Sequence, residues 1–333
     1  MEFSKFDCTK NFKQTKLIMT KRIAFLGLLA LLLSCNSKKD DAQRELGLVY
    51  NVLRDFDIEN YEIFSMNLDG SDKKNITDLY PVDWTYYSYK DTLYFISDRE
   101  ACKRCYFLYK TNFNGKNVQK VTNLELADSW MSSRKDGTEL IVKPKLITES
   151  TFYVLNQKGE IIDRLDTKLP FAADPLFVND GKQVVFRGGK TVRKEINGFD
   201  EELYIIDADG KNRKQLTHYP EKDTTAGKYE YRAGAPKLHP TEDFVSYQSK
   251  QNGKYSLYAV SLDGSKTWKL TENEQNEGWH DWSPDGKWLA IELFDDEQSQ
   301  FHIGLMNWET KEMQILTDDT FKFQQAPSFI YKD

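Results

Sequence analysis

From residue 46 onward, hydrophobic residues come in short runs that are separated by tight-turn sequences. Asp-Gly or Asn-Gly stands between many of these runs, as at 69–70, 114–115 and 209–210. Such dipeptides are a strong signal for a β-hairpin, because glycine adopts a positive φ without a Cβ clash. The pattern therefore predicts an all-β protein of antiparallel strands.

A longer unit repeats along the chain, and it ends with a strand, a turn and a second strand that usually closes on threonine. The copies read MNLDGSDKKNIT, TNFNGKNVQKVT, IDADGKNRKQLT, VSLDGSKTWKLT and MNWETKEMQILT, with LNQKGEIIDRLD as a degenerate copy. The closing threonines are Thr77, Thr122, Thr217, Thr271 and Thr317. Their spacings are 45, 95, 54 and 46 residues, and the interval of 95 contains the degenerate copy. This period predicts six units of the length of a propeller blade.

Each unit also has a tight turn near its front, such as SPDG at 283–286. A unit is then strand a, tight turn, strand b, loop, strand c, tight turn, strand d. We therefore predict a six-bladed β-propeller of four-stranded antiparallel blades over residues 46–333. The segment 46–56 has the pattern of a strand b, and 324–333 that of a strand a, so the C-terminal strand is expected to complete blade 1. A β-sandwich with irregular repeats is the alternative.

The stretch WSPDGK at 282–287, followed by WLAI and a later Leu-Thr, resembles the TolB-type WD40-like (PD40) repeat. The resemblance covers about residues 46–333 and implies a six-bladed propeller. TolB itself also has an N-terminal α/β domain. Here only 36–45 separate the predicted anchor from blade 1, so no such domain is expected.

The first 34 residues have the pattern of a bacterial signal peptide. Lys21-Arg22 precedes eleven apolar residues, 23–33, and then Ser34-Cys35. LLSC at 32–35 resembles the bacterial lipobox, which implies cleavage before Cys35 and lipidation of its sulfur. Met19 is the expected initiator. An ordinary signal peptide with a chance cysteine is the alternative.

Residues 35–45 would then be the lipidated cysteine and a polar tether. KDD at 39–41 resembles the surface-export signal of Bacteroidetes-type lipoproteins. The expected location is the bacterial outer membrane, reached through the lipid anchor alone, with the periplasmic and the cell-surface face both open.

The charge balance argues against one class of partner. The chain has 46 Lys and Arg against 52 Asp and Glu, a formal net charge of -6. Loss of residues 1–34 removes six basic and two acidic residues, which leaves about -10. Binding to nucleic acid needs clustered Lys and Arg, so none is expected. We expect a monomer that carries no cofactor.

Cys102 and Cys105 are the cysteines left beyond Cys35. In an exported protein this spacing predicts a structural disulfide. A redox-active pair has its first cysteine at a helix N-terminus, which lowers the pKa of the thiol. Here the sequence that follows the cysteines has the pattern of a strand and not of a helix.

Antiparallel alternation places all tight turns on one face, the turn face, and the irregular loops on the opposite face, the loop face. Long loops on a rigid scaffold are frequent binding sites, although loops also lengthen without functional reason. Aromatic residues and arginine dominate binding hot spots. The candidate partner-binding residues on the loop face are Trp279, His280, Tyr229, Tyr231 and Arg232.

Two functions remain open at this point. The sequence contains neither Gly-x-Ser-x-Gly nor His-Glu-x-x-His. The first hypothesis is a non-catalytic envelope lipoprotein that binds a protein or a glycan through the loop face. The alternative is a metal-dependent carbohydrate-active enzyme at the propeller channel, similar to oligogalacturonate lyases. Its candidate ligands would be His280 and His218, short of the three that a catalytic zinc site uses.

Overall fold

The computed structural model describes residues 44–145, 150–191, 200–227 and 229–332 of the 333. From Glu45 onward they belong to one compact unit. The signal peptide, Met19 and Cys35 lie outside the described residues. Within the described ranges, no helix has the length and apolar character needed to cross a membrane.

The described residues form 24 strands. Blade 1 contains β1 (Leu46–Asp55), β2 (Asn60–Asn67), β3 (Lys74–Asn75) and β24 (Gln324–Tyr331); blade 2 contains β4 (Asp83–Tyr89), β5 (Thr92–Ser97), β6 (Phe107–Thr111) and β7 (Gln119–Lys120); blade 3 contains β8 (Ser132–Arg134), β9 (Glu139–Val142), β10 (Thr151–Asn156) and β11 (Ile161–Asp166). Blade 4 contains β12 (Phe171–Val178), β13 (Gln183–Gly189), β14 (Glu202–Asp207) and β15 (Lys214–Gln215); blade 5 contains β16 (Lys237–Leu238), β17 (Phe244–Gln251), β18 (Lys254–Ser261) and β19 (Thr267–Lys269); blade 6 contains β20 (Asn276–Trp282), β21 (Trp288–Phe294), β22 (Phe301–Asn307) and β23 (Met313–Ile315).

These strands make six four-stranded antiparallel sheets, which confirms the predicted six-bladed propeller. Five blades use strands in chain order, and blade 1 has the order β24-β1-β2-β3. In that blade Leu46 pairs with Tyr331, and Val49 pairs with Ser328. The C-terminal strand therefore closes the ring as the sequence predicts.

The repeated threonines hold the outer part of each blade together. The hydroxyl of Thr77 accepts a hydrogen bond of 3.0 Å from the amide of Ile63. Thr217 accepts from Leu203 at 2.8 Å, at the equivalent place in blade 4. A side-chain hydroxyl thus completes the hydrogen bonding of strand c where the short strand d has ended, which explains why threonine recurs there.

The hydrophobic core lies between neighbouring blades. Val49 and Ile63 of blade 1 pack with Leu93 and Phe95 of blade 2, and all four side chains are fully buried. Burial of one such side chain contributes about 1.5–3 kcal/mol. Because each sheet buries both faces only when the ring is complete, closure by β24 stabilises the whole domain.

Hydrogen bonds between turns confirm that the tight turns share one face. The amide of Ala208, in a c–d turn, donates to the carbonyl oxygen of Lys182, in an a–b turn, at 2.8 Å. In blade 6 the turn residue Gly286 has a φ of 72°, and a Cβ there would lie 2.9 Å from Cε1 of His239. This glycine meets both a backbone and a packing requirement.

Candidate functional site: the channel mouth

The six innermost strands surround a channel, and a cavity of about 300 Å³ occupies its loop-face end. We call this cavity the channel mouth. Its wall contains the aromatic residues Tyr61, Trp84, Tyr86, Tyr106, Trp130, Tyr231 and Trp279. Aromatic side chains on the wall of a concave site are typical of ligand and partner recognition.

β-Bulges in the innermost strands turn side chains toward the channel. In β20 the register shifts between Glu277 and His280, and Trp279 lies in that bulge. In β12 the register shifts between Ala173 and Leu176, and Asp174 lies in that bulge with a φ of 55°. A bulge bends its strand and re-aims a side chain, and here it adds a residue to the channel wall.

The tryptophans of the channel mouth contact one another edge to face. The ring centroids of Trp84 and Trp279 are 5.6 Å apart, and those of Trp130 and Trp279 are 6.1 Å apart. Tyr61 packs on Trp84 at 4.6 Å. Each such contact fixes the ring planes and contributes about 0.5–1.5 kcal/mol beyond area burial. The aromatic wall is therefore rigid.

A buried ion-pair network lies behind this wall. The guanidinium of Arg187 donates to Asp174 at 2.7 Å and to Glu201 at 2.6 Å. Burial acts to lower the pKa of Arg187, but the two carboxylates outweigh it and hold the pKa above its usual value. Asp174 also accepts a hydrogen bond of 2.9 Å from the amide of Trp130. The network thus fixes the bulge of β12 to the start of blade 3.

Further charged groups of the channel are paired as well. At the rim, Arg104 donates to Glu59 at 2.8 Å. Further toward the turn face a second cavity of about 130 Å³ includes Lys237 and Asp281 in its wall. These two form an ion pair of 3.1 Å, and the Lys237 ammonium lies 4.5 Å from the Trp130 ring centroid.

Trp279 and Tyr231 of the predicted set lie together in the channel mouth. The neighbouring His280 does not face the channel mouth: its side chain is 2% exposed, and its Nε2 lies 2.7 Å from the hydroxyl of Ser246. Burial, with the Lys237 charge nearby, lowers the pKa of His280 to about 3. His280 is thus a neutral residue that is packed between blades 5 and 6, where a partner cannot contact it.

The other predicted residues lie elsewhere on the loop face. Arg232 and His218 are in the wall of a separate cleft of about 220 Å³ between blades 4 and 5. Tyr229 is 71% exposed. The predicted metal ligands His218 and His280 therefore do not face one cavity. Within the described ranges, no group of three or more His, Cys, Asp or Glu side chains is placed to hold a metal ion.

Cys102 and Cys105 lie in the b–c loop of blade 2, with their Cα atoms 5.2 Å apart. This separation is in the range of a disulfide, and the structure joins the two sulfurs. Strand β6 follows the loop at Phe107, so neither cysteine stands at a helix N-terminus.

Trp130 and Asp174 were not among the predicted residues, although the sequence carries a signal for both. Trp130, Asp174 and Trp279 each lie six residues before the aspartate of an a–b turn, at 136, 180 and 285. Alignment of the blades on that turn would have placed all three at the same height in the channel. Arg187 had no such signal, because its role depends on the bulge opposite it.

No protein-family model and no curated protein sequence matches the chain. Solved structures match with high probability. One of TolB from Acinetobacter baumannii has a TM-score of 0.63 at 14% identity, over 85% of this chain and 66% of the other. One described as TolB from Agrobacterium tumefaciens has a TM-score of 0.58 at 15% identity, over 87% and 99%.

The chain has the TolB-type propeller fold. A structure of a nidogen/laminin complex also matches, with a TM-score of 0.58 at 10% identity, over 85% of this chain and 98% of the other. At these identities the likeness is one of fold, and function has to be argued from the site. In this TolB-type propeller the channel mouth combines a cavity, an aromatic wall and converging charged groups.

Proposed function

We propose that this protein is a non-catalytic binding protein of the bacterial cell envelope, whose loop face recognises a partner protein at the channel mouth. The observation that carries the proposal is the rigid aromatic wall around a cavity of about 300 Å³. Such a wall supplies large contact area at little cost in side-chain entropy, because its rings are already fixed by mutual packing.

The cationic groups of the channel act as fixed charges, which suits recognition of a partner. Arg187, Arg104 and Lys237 are each held by at least one carboxylate. A cation that is paired in this way keeps its charge and its position, and it can hold neighbouring groups in place. The channel mouth thus offers fixed dipoles and aromatic surface to a ligand.

The loop face also carries exposed apolar side chains, which a partner would cover. Phe56, Tyr80 and Tyr229 project from three of its loops, with exposed fractions of 73%, 88% and 71%. Large aromatic side chains that are exposed together on one face belong to an interaction surface more often than to loops that contact only solvent. They would extend the contact beyond the cavity itself.

We place the protein at the outer membrane through a lipidated Cys35, as its lipobox-like sequence implies. Metabolic labelling with an alkyne fatty acid should label the wild type and leave Cys35→Ser unlabelled. Equal labelling of both would remove the anchor from the proposal.

Site-directed photocrosslinking in intact cells tests the binding face. A benzoylphenylalanine at Tyr229, on the loop face, should give a discrete adduct, and the same group at Thr310, on the turn face, should not. Trp279→Ala and Tyr231→Ala should each abolish the adduct at 229 while the thermal unfolding transition persists. Adducts of equal yield from both faces, or a yield unchanged in both variants, would refute the proposal. Digestion of the adduct with glycosidases shows whether the captured molecule is a glycan.

A further inference from the structure

A groove of about 340 Å³ lies on blade 1, beside the channel mouth, between the β1–β2 loop and the β3–β4 segment. We call it the blade 1 groove. Its wall contains the exposed apolar side chains Ile58, Leu79 and Tyr80. The neighbouring Phe56 lies outside the groove wall, and its ring centroid is 6.3 Å from that of Phe323. Three large apolar residues from two adjacent loops thus line one groove, unlike apolar residues that are scattered singly over a surface.

The floor of the groove has a hydrogen-bond acceptor without a donor. Asn60 is 4% exposed, and its Nδ2 donates to the carbonyl oxygen of Leu79 at 2.9 Å. Its Oδ1 is buried and has no hydrogen-bond partner among the described residues. The hydrogen bond to Leu79 thus holds the β3–β4 segment against β2 and keeps this side of the groove in place.

Charge in the groove is negative. Its wall contains the carboxylates of Asp55, Glu62 and Asp78 against one guanidinium, that of Arg54. The Cζ of Arg54 lies 5.3 Å from the centroid of the Phe321 ring, and its guanidinium offsets part of the negative charge. Burial raises the pKa of Glu62, whereas a hydrogen bond from Asn75 and the charge of Arg54 act to lower it, and the charge of Asp78 makes a smaller raising contribution.

We infer that the blade 1 groove binds a short protein segment in which a bulky apolar side chain adjoins a lysine or arginine. The apolar side chain would cover Leu79 and Tyr80. The cationic group would face Asp55 and Asp78. Anionic lipid is disfavoured by the same carboxylates. The inference rests on the proposed function in that the loop face binds protein, but it concerns a contact separate from the channel mouth.

The test starts from a random peptide library selected on the full chain. Peptides that combine Lys or Arg with an adjacent bulky apolar residue should be enriched. The most enriched peptide is then titrated by fluorescence anisotropy against the double variant Asp78→Asn/Tyr80→Ser. Both residues are exposed, so the fold should persist. The Kd of the double variant should be at least ten times that of the wild type. The Kd of the wild type should also increase with salt concentration, as expected for an ion pair at a surface.

The matched control is Ile162→Ser/Asp163→Asn, which makes the same kinds of change on the exposed outer strand of blade 3. Its Kd for the peptide should equal that of the wild type. Selection of acidic peptides, no enrichment, or equal Kd values in the groove variant and the wild type would overturn the inference. A wild-type chain that sediments as a dimer while the groove variant sediments as a monomer would also overturn it, because a second copy of the chain would then occupy the groove.

The outcome separates the two proposals. If no adduct forms at position 229 in cells but the peptide still binds, only the proposed function is refuted. If the adducts form and depend on Trp279 but the peptide library gives no enrichment, only the inference about the blade 1 groove is refuted.

Discussion

The carboxyl group of Glu292 accepts a hydrogen bond of 3.0 Å from the backbone amide of Ala326. Glu292 belongs to β21 of blade 6, and Ala326 belongs to β24, the strand that closes the ring. Asn51 makes the equivalent contact in blade 1, where its Oδ1 accepts from the amide of Thr85 in β4 at 3.0 Å. In both cases a side chain of strand b accepts a hydrogen bond from a backbone amide in the irregular innermost strand of the next blade. This hydrogen bond joins the two blades beside the channel.

The substitution Glu292→Gln should make stability less dependent on pH. Burial raises the pKa of Glu292 from 4.5 to about 8, against hydrogen bonds from Ala326 and Gln325 that lower it. Between these two values the folded protein binds more protons than the unfolded chain, so the free energy of unfolding falls as pH rises. Each pKa unit corresponds to about 1.4 kcal/mol, which predicts a loss on the order of 2–4 kcal/mol between pH 5 and 8.

Urea unfolding at pH 5 and pH 8 measures this loss. Glu292→Gln should flatten the dependence, because the neutral amide keeps an acceptor for Ala326 and does not titrate. Glu309→Gln, at an exposed turn, should keep the wild-type dependence. An equal slope for the wild type and Glu292→Gln would contradict the prediction.

Arg187→Met should destabilise the protein by about 3–5 kcal/mol, since it leaves two buried carboxylates without their cation. Asp174 and Glu201 are 2% and 3% exposed, so solvent does not replace the guanidinium. The matched control is Lys211→Met, which removes the cation of a surface pair of 2.8 Å with Asp209. That change should have little effect on stability, because solvent screens an exposed ion pair. Denaturant midpoints compare the two, and similar shifts would show that the buried network contributes little.

His280 should remain neutral over the range in which an ordinary histidine titrates. Its pKa is lowered to about 3, so between 6.5 and that value the unfolded chain binds more protons than the folded protein. The free energy of unfolding should therefore fall as pH drops below 6.5. Imidazole NMR resonances of His280 should not shift between pH 8 and 5.

A pair of variants checks the contribution of His280 to stability. His280→Asn should lose part of the acid-side decrease in stability, and the same substitution at the exposed His218 should leave it unchanged. A His280 resonance that titrates near pH 6.5 would show that the side chain reaches solvent.

Much of the fold could be predicted from local signals. Each Asp-Gly turn and each closing threonine reports a short-range event, such as the positive φ of Gly286 or the hydrogen bond of Thr217 to strand c. Their regular recurrence was enough to count six blades and to expect closure by the last strand. The loop face was predictable for the same reason, since strand direction alternates within each blade.

The site was predictable only in part. Trp279 lies in the channel mouth, whereas His280, which was grouped with it, does not, because adjacent strand residues point to opposite sides. Arg232 and His218 were assigned to the same surface, and the structure puts them in another cleft. Spacing along a long loop does not say which of its residues reach the centre.

The sequence by itself determined the architecture, because turn chemistry and the period of the repeat act over a few residues. Only the tertiary structure decided which side chains meet in the channel. The wall of the channel mouth is assembled from several blades, and the β-bulges at Asp174 and Trp279 set which residue of each innermost strand faces inward. The contact of Glu292 with Ala326 likewise exists only when the two ends of the chain have closed the ring, since it joins blade 6 to a strand that completes blade 1.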